Sequence, residues 1–155
     1  MAHGDRVTWA ELLKSDRSPT DQGGVFRSAR PIASEARDEL VRLGTAHITF
    51  QIDDGWLVVG PTGLFVVSTA TGDLATAADD VCTRAGEIRK RLANDLSFVP
   101  FVDAVLVTDE RLPGGALPCM AIDPSNLRTT IAEGPRTIDD ETLGRLGLLA
   151  LQRLA

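Results

Sequence analysis

The spacing of apolar residues divides the chain into helical and strand-like stretches. Ile32, Ala36, Leu40 and Leu43 recur at intervals of 4, 4 and 3, one face of a helix. Pro31 suits the first turn of that helix and Gly44 supplies its stop. From Ala46 to Thr71 the period changes. His47-Ile48-Thr49-Phe50-Gln51-Ile52 alternates like a half-buried strand. Trp56-Leu57-Val58-Val59 and Leu64-Phe65-Val66-Val67 are continuous apolar runs on either side of Gly60-Pro61-Thr62-Gly63. Proline presets the first central φ of a turn and glycine accepts positive φ at its end, so the segment predicts a hairpin. Runs without polar interruption predict strands covered on both faces.

Leu74, Ala78, Val81, Ala85, Ile88, Leu92 and Leu96 form a sustained stripe, which predicts the longest helix. Asp80–Arg84 and Glu87–Arg91 are supporting i, i+4 pairs on its flanks. Val102 to Thr108 reads as another buried strand, followed by the loop residues Leu112-Pro113-Gly114-Gly115. Pro118 to Ile122 reads as a short strand. Asp123-Pro124-Ser125 opens a helical stretch through Leu127 and Ile131, and Thr137 caps a last helix to Leu154. In that helix Leu143, Leu146, Ala150 and Leu154 make one stripe, while Leu148 and Leu151 point to another side. Either both sides are buried in the monomer, the reading slightly favoured, or one meets a partner. The order of elements predicts a mixed α/β domain with a central sheet over residues 31–155. Residues 1–30 read as an N-terminal arm: a short helix over Val7–Lys14, with Trp9, Leu12 and Leu13 as its apolar side, then a polar connector.

Composition narrows the class without naming a function. A chain of 155 residues with 43% hydrophobic and 25% charged residues is an ordinary globular domain, neither disordered nor collagenous nor coiled-coil. No apolar run approaches the ~18 residues of a membrane span, and Met1-Ala2-His3-Gly4-Asp5 begins no signal peptide, so a cytoplasmic protein is expected. The net charge of −6 argues against a protein that coats nucleic acid or an anionic membrane. Only Lys14 and Lys90 are available to a mechanism that needs lysine. Cys82 and Cys119 lie far apart in unlike segments, which argues against a metal knuckle or disulfide framework and leaves two free thiols. His47, at a strand start, reads as a surface or edge histidine.

The segment from Trp56 to Val67 resembles the signature hairpin of the nuclease-related domain (NERD) family, through its Gly-Pro-x-Gly-hydrophobic-Phe core. The flanking order is similar too, from about Pro31 to the C-terminus. The resemblance implies a restriction-endonuclease-like fold: a central mixed sheet with a hairpin at about 56–69, flanked by helices. It also implies a carboxylate cluster holding Mg²⁺ and a lysine beside the attacking water. The family draws those groups from the first helix, the strand entering the hairpin, and a Glu-x-Lys at its exit, where residues i and i+2 share a face. Matched position by position, those sites fall on Ala33, Gly55, Ser68 and Ala70. None is a carboxylate or a lysine.

Two kinds of rescue are open. A rebuilt metal site would use Asp53 and Asp54 with Glu35 or Glu39, and Lys90 as a migrated lysine. On the first helix Glu35 and Glu39 lie about 95° and 55° from the centre of the apolar face. Asp53-Asp54-Gly55 reads more simply as a turn, and Lys90 as part of a solvated face. Arg84, Arg89, Lys90 and Arg91 form a basic cluster, but Asp79, Asp80, Glu87 and Asp95 on the same helix cancel its charge. The expectation is a catalytically degenerate NERD-like domain, an inactive pseudoenzyme without a cofactor, serving as a scaffold or protein-interaction module. Its protein partner or second copy would use the Leu-rich helix 138–154, with weak or no nucleic-acid binding and no membrane contact. The alternatives are a Mg²⁺-dependent nuclease with relocated ligands, and a non-catalytic nucleic-acid or small-ligand binding domain.

Overall fold

The structure, a computed structural model, describes residues 31–97, 100–110 and 117–154. The expected arm helix over Val7–Lys14 and the loop over Leu112–Gly115 lie outside the described residues. The chain runs α1 (Ile32–Val41), β1 (Ile48–Ile52), β2 (Gly55–Gly60), β3 (Gly63–Thr69), α2 (Leu74–Ala93), β4 (Val102–Val107), β5 (Met120–Ile122), a 3₁₀ turn (Pro124–Asn126), α3 (Leu127–Ala132) and α4 (Asp140–Leu154). The strands form one mixed sheet in the order β1-β2-β3-β4-β5. β1, β2 and β3 pair antiparallel, whereas β4 joins β3, and β5 joins β4, in parallel. A parallel neighbour needs a crossover, and α2 provides it between β3 and β4.

Alternation along the strands sorts the core into two layers. Leu57, Val59, Leu64 and Val66 face Val81, Ala85, Ile88 and Leu92 of α2 and Leu146 and Ala150 of α4. Trp56, Val58, Phe65 and Val67 face Ile32, Ala36 and Leu40 of α1 and Leu127 and Ile131 of α3. Both faces of β2 and β3 are therefore covered, which is why their sequences run apolar without a break. β1, at the edge, is only half-buried.

The hairpin tip is also an anchor. Gly63 takes φ +143°, the conformation its turn position needs. The Pro61 carbonyl accepts from the backbone N–H groups of Thr137 and Ile138, at 2.8 and 3.1 Å, and the Thr62 hydroxyl donates to the Ile131 carbonyl. The tip so joins α3 to the segment that enters α4.

Several local expectations shift. Pro31 precedes α1 as its N-cap, in an extended conformation, rather than standing in the first turn. α2 ends at Ala93, yet Leu96 still packs beneath it because the stripe's direction continues beyond the helix. The α4 cap is Asp139, whose carboxylate accepts from the Thr142 N–H at 2.7 Å; Thr137 is held by the hairpin tip instead. Arg84 forms no pair with Asp80 but turns under the sheet. On α4, Leu148 and Leu151 are 62% and 57% exposed, so the described residues do not bury the second leucine side. Leu143, Leu146, Leu149 and Ala150 seat the helix on the sheet.

Candidate functional site

Three of the four positions that match the family's site stand together. Ser68 shares its face of β3 with Leu64 and Val66, and Gly55 lies beside it on β2 at the end of the hairpin register. Ala70, two residues on, packs with Leu74, Ala78 and Leu106 on the same side. Ala33 is elsewhere. It packs with the α1 layer on the opposite face of the sheet, because the apolar stripe of α1 can bury itself only there.

Backbone crowding and an arginine occupy the place where a carboxylate pair would stand. A Cβ added at Gly55 would lie 2.1 Å from the Val67 carbonyl oxygen and 3.0 Å from the Ser68 hydroxyl oxygen. No side chain fits without moving backbone. Ser68 is 7% exposed, and its hydroxyl donates to the Asp54 carbonyl at 3.1 Å. That hydroxyl accepts from the Arg84 guanidinium at 3.2 Å, and Arg84 also reaches the Asp54 carboxylate at 3.5 Å. A closed Ser68–Arg84–Asp54 set results. Its one cation and one carboxylate cancel, and the cation points at the Ser68 hydroxyl.

The remaining candidates do not converge on this point. Asp53 and Asp54 form the β1–β2 turn and are exposed; Asp54 adopts φ +60°, as a tight turn requires. Glu35 and Glu39 project from α1, across the sheet. Glu39 is engaged by Arg42 at 3.0 Å and by Arg128 at 3.7 Å. Lys90 is exposed on α2, six residues beyond Arg84 and so about 9 Å along the helix axis. Among the described residues, no group of three His, Cys, Asp or Glu side chains is placed to hold a metal ion.

Two features escape sequence reasoning. The His47 ring lies where a Gly60 side chain would stand: a Cβ there would come within 2.1 Å of its Cδ2. His47 is half-buried beside the edge strand β1, but both its ring nitrogens are sealed from water with no hydrogen-bond partner. Burial lowers its pKa below the ordinary 6.5. Second, Cys82 and Cys119 are free thiols, as expected, but not far apart in space. α2 and the approach to β5 bring both into the lining of one cavity of about 400 Å³. The Arg84 arrangement did leave a trace in the sequence. Arg84 sits three residues after Val81 and four before Ile88, at the border of the buried stripe, where a long polar side chain must turn inward or snorkel outward.

Compared with known proteins, the chain matches no family model, no curated protein and no solved structure.

Proposed function

We propose that the chain is a catalytically degenerate NERD-like domain of restriction-endonuclease-like fold, serving as a scaffold or protein-interaction module. The observation that carries this reading is the Gly55–Ser68–Arg84 packing. At the two strand positions where the family would place carboxylates, one residue has no room for a side chain and the other is a serine bound to a guanidinium. Mg²⁺ dehydrates reluctantly and is held through carboxylates together with substrate phosphates. A site whose one carboxylate is already paired with an arginine offers the ion no net negative charge and gives no means of lowering the pKa of an attacking water. The mixed sheet, its central hairpin and the helices before and after it agree with the order the resemblance implies. The exposed Leu148 and Leu151 of α4 support an interaction role, since the described residues leave them without apolar cover.

Calorimetric titration with Mg²⁺ and Mn²⁺, together with cleavage of plasmid DNA and of RNA, tests the proposal. The expected result is no metal-dependent heat and no cleavage. Cleavage that disappears in Asp53→Ala, Asp54→Ala or Lys90→Ala would establish instead a nuclease with relocated ligands.

A further inference from the structure

We infer that Cys82 and Cys119 form a paired thiol site that closes to a reversible disulfide in exchange with a small disulfide of the glutathione type. The two sulfurs come from separate elements, α2 and the turn that leads into β5, and both line the same cavity. The Cys82 thiol donates to the Pro118 carbonyl at 3.5 Å. That carbonyl belongs to the peptide unit carrying the Cys119 nitrogen, which brings the Cys82 sulfur within roughly 6 Å of the Cys119 Cα. A disulfide needs approach on this scale from Cβ atoms that face each other, and both cysteines open onto the same cavity. Its apolar wall, which includes Ala85, Val102 and Ala104, gives the sulfurs room to rotate. Both cysteines are half-buried, so a small reagent reaches them.

The chemistry balances with one oxidant molecule. The Cys82 sulfur, as thiolate, attacks the small disulfide and releases one small thiol, leaving a mixed disulfide on Cys82. Cys119 then loses its proton, attacks the Cys82 sulfur and expels the second small thiol. Two protein thiols and one small disulfide become one protein disulfide and two small thiols. The order follows from environment. Burial, the neighbouring Cys82 and the charge of Asp79 push the Cys119 thiol up to about 11, so it is the poorer first attacker and the resolving partner. Arg89 of α2 and Asp103 of β4 are the other charged groups lining the cavity. Closure ties α2 to the segment that enters β5.

The test uses the purified full chain, reduced and then equilibrated with glutathione disulfide under native conditions, with intact mass and alkylation mapping as readouts. The expected product is a monomer that has lost two hydrogens and both free thiols and retains no glutathione, with dithiothreitol restoring the starting mass. Cys82→Ser and Cys119→Ser should each retain one glutathione instead. Native packing should favour closure by at least about tenfold over the same chain in urea, because it raises the effective concentration of one sulfur at the other. A melting temperature several degrees higher for the oxidised form would add support. Retained glutathione on the unmutated chain, disulfide-linked dimers, or equal closure in urea would each overturn the inference. Free thiols that persist under conditions that modify Cys119→Ser would do the same.

Discussion

At the scale of single residues, the absence of a side chain decides as much as its presence. Gly55 lets β2 pass against the Val67 carbonyl, and any Cβ there collides with it. Gly55→Asp, which puts a carboxylate at this position, should bind no metal and should destabilise the fold by about 3 kcal/mol, the usual penalty for forcing atoms into a filled space. Chemical denaturation of the variant beside wild type measures this; an unchanged midpoint would show that the strand has room after all. Gly60 plays the complementary part by making space for the His47 ring. Because burial holds the folded-state pKa of His47 below 6.5, the unfolded chain takes up a proton first on acidification. The contribution is fully present above pH 6.5 and is lost as the pH falls below it. Thermal melts at pH 7 and pH 5 should show a drop in the wild type that is smaller in His47→Gln.

At the scale of elements, each helix is seated by one apolar face, and α2 and α4 are also opened by an aspartate cap. α2 starts at Asp73, whose carboxylate accepts from the Thr76 N–H at 3.2 Å and from its hydroxyl at 2.8 Å. Val81, fully buried halfway along the stripe, touches the strand layer that carries Leu57 and Val66. Val81→Asp should cost several kcal/mol, because a carboxylate there has neither water nor a partner. A melting temperature within a degree or two of wild type would mean that α2 does not carry the core. The same helix explains the chemistry of the candidate site. With its stripe committed to the sheet, Arg84 on the border meets Ser68, while Lys90 turns toward solvent.

For the whole molecule, surface charge sets what association is open. With a net charge of −6 and a basic cluster on α2 cancelled by acids on the same helix, any DNA binding should rest only on scattered phosphate contacts. Dissociation constants for duplex or single-stranded DNA should lie on the order of 10⁻⁴ to 10⁻⁶ M and weaken as salt rises. A sub-micromolar complex at ~150 mM salt, measured by fluorescence anisotropy, would favour a nucleic-acid binding role over a scaffold. No helix among the described residues is long and apolar enough to cross a membrane.

Periodicity alone determined α1, the hairpin, α2 and β4. Every residue of the α2 stripe from Leu74 to Leu92 is buried, as its spacing requires, and the two hairpin strands are covered on both sides. These features are local: a stripe or an unbroken apolar run states which face must leave water, whatever covers it. That Gly55, Ser68 and Ala70 carry neither a carboxylate nor an amine is also legible, since side-chain identity needs only one dimension. Pairings between distant residues were not. Gly55 with the Val67 carbonyl, Arg84 with Ser68, His47 over Gly60 and Cys82 beside Pro118 all depend on strand register and on where the α2 crossover returns the chain. Leu148 and Leu151 look identical in sequence to the leucines beside them. Only the docking of α4 on the sheet decided which were covered, because one sheet face can take only one side of a helix.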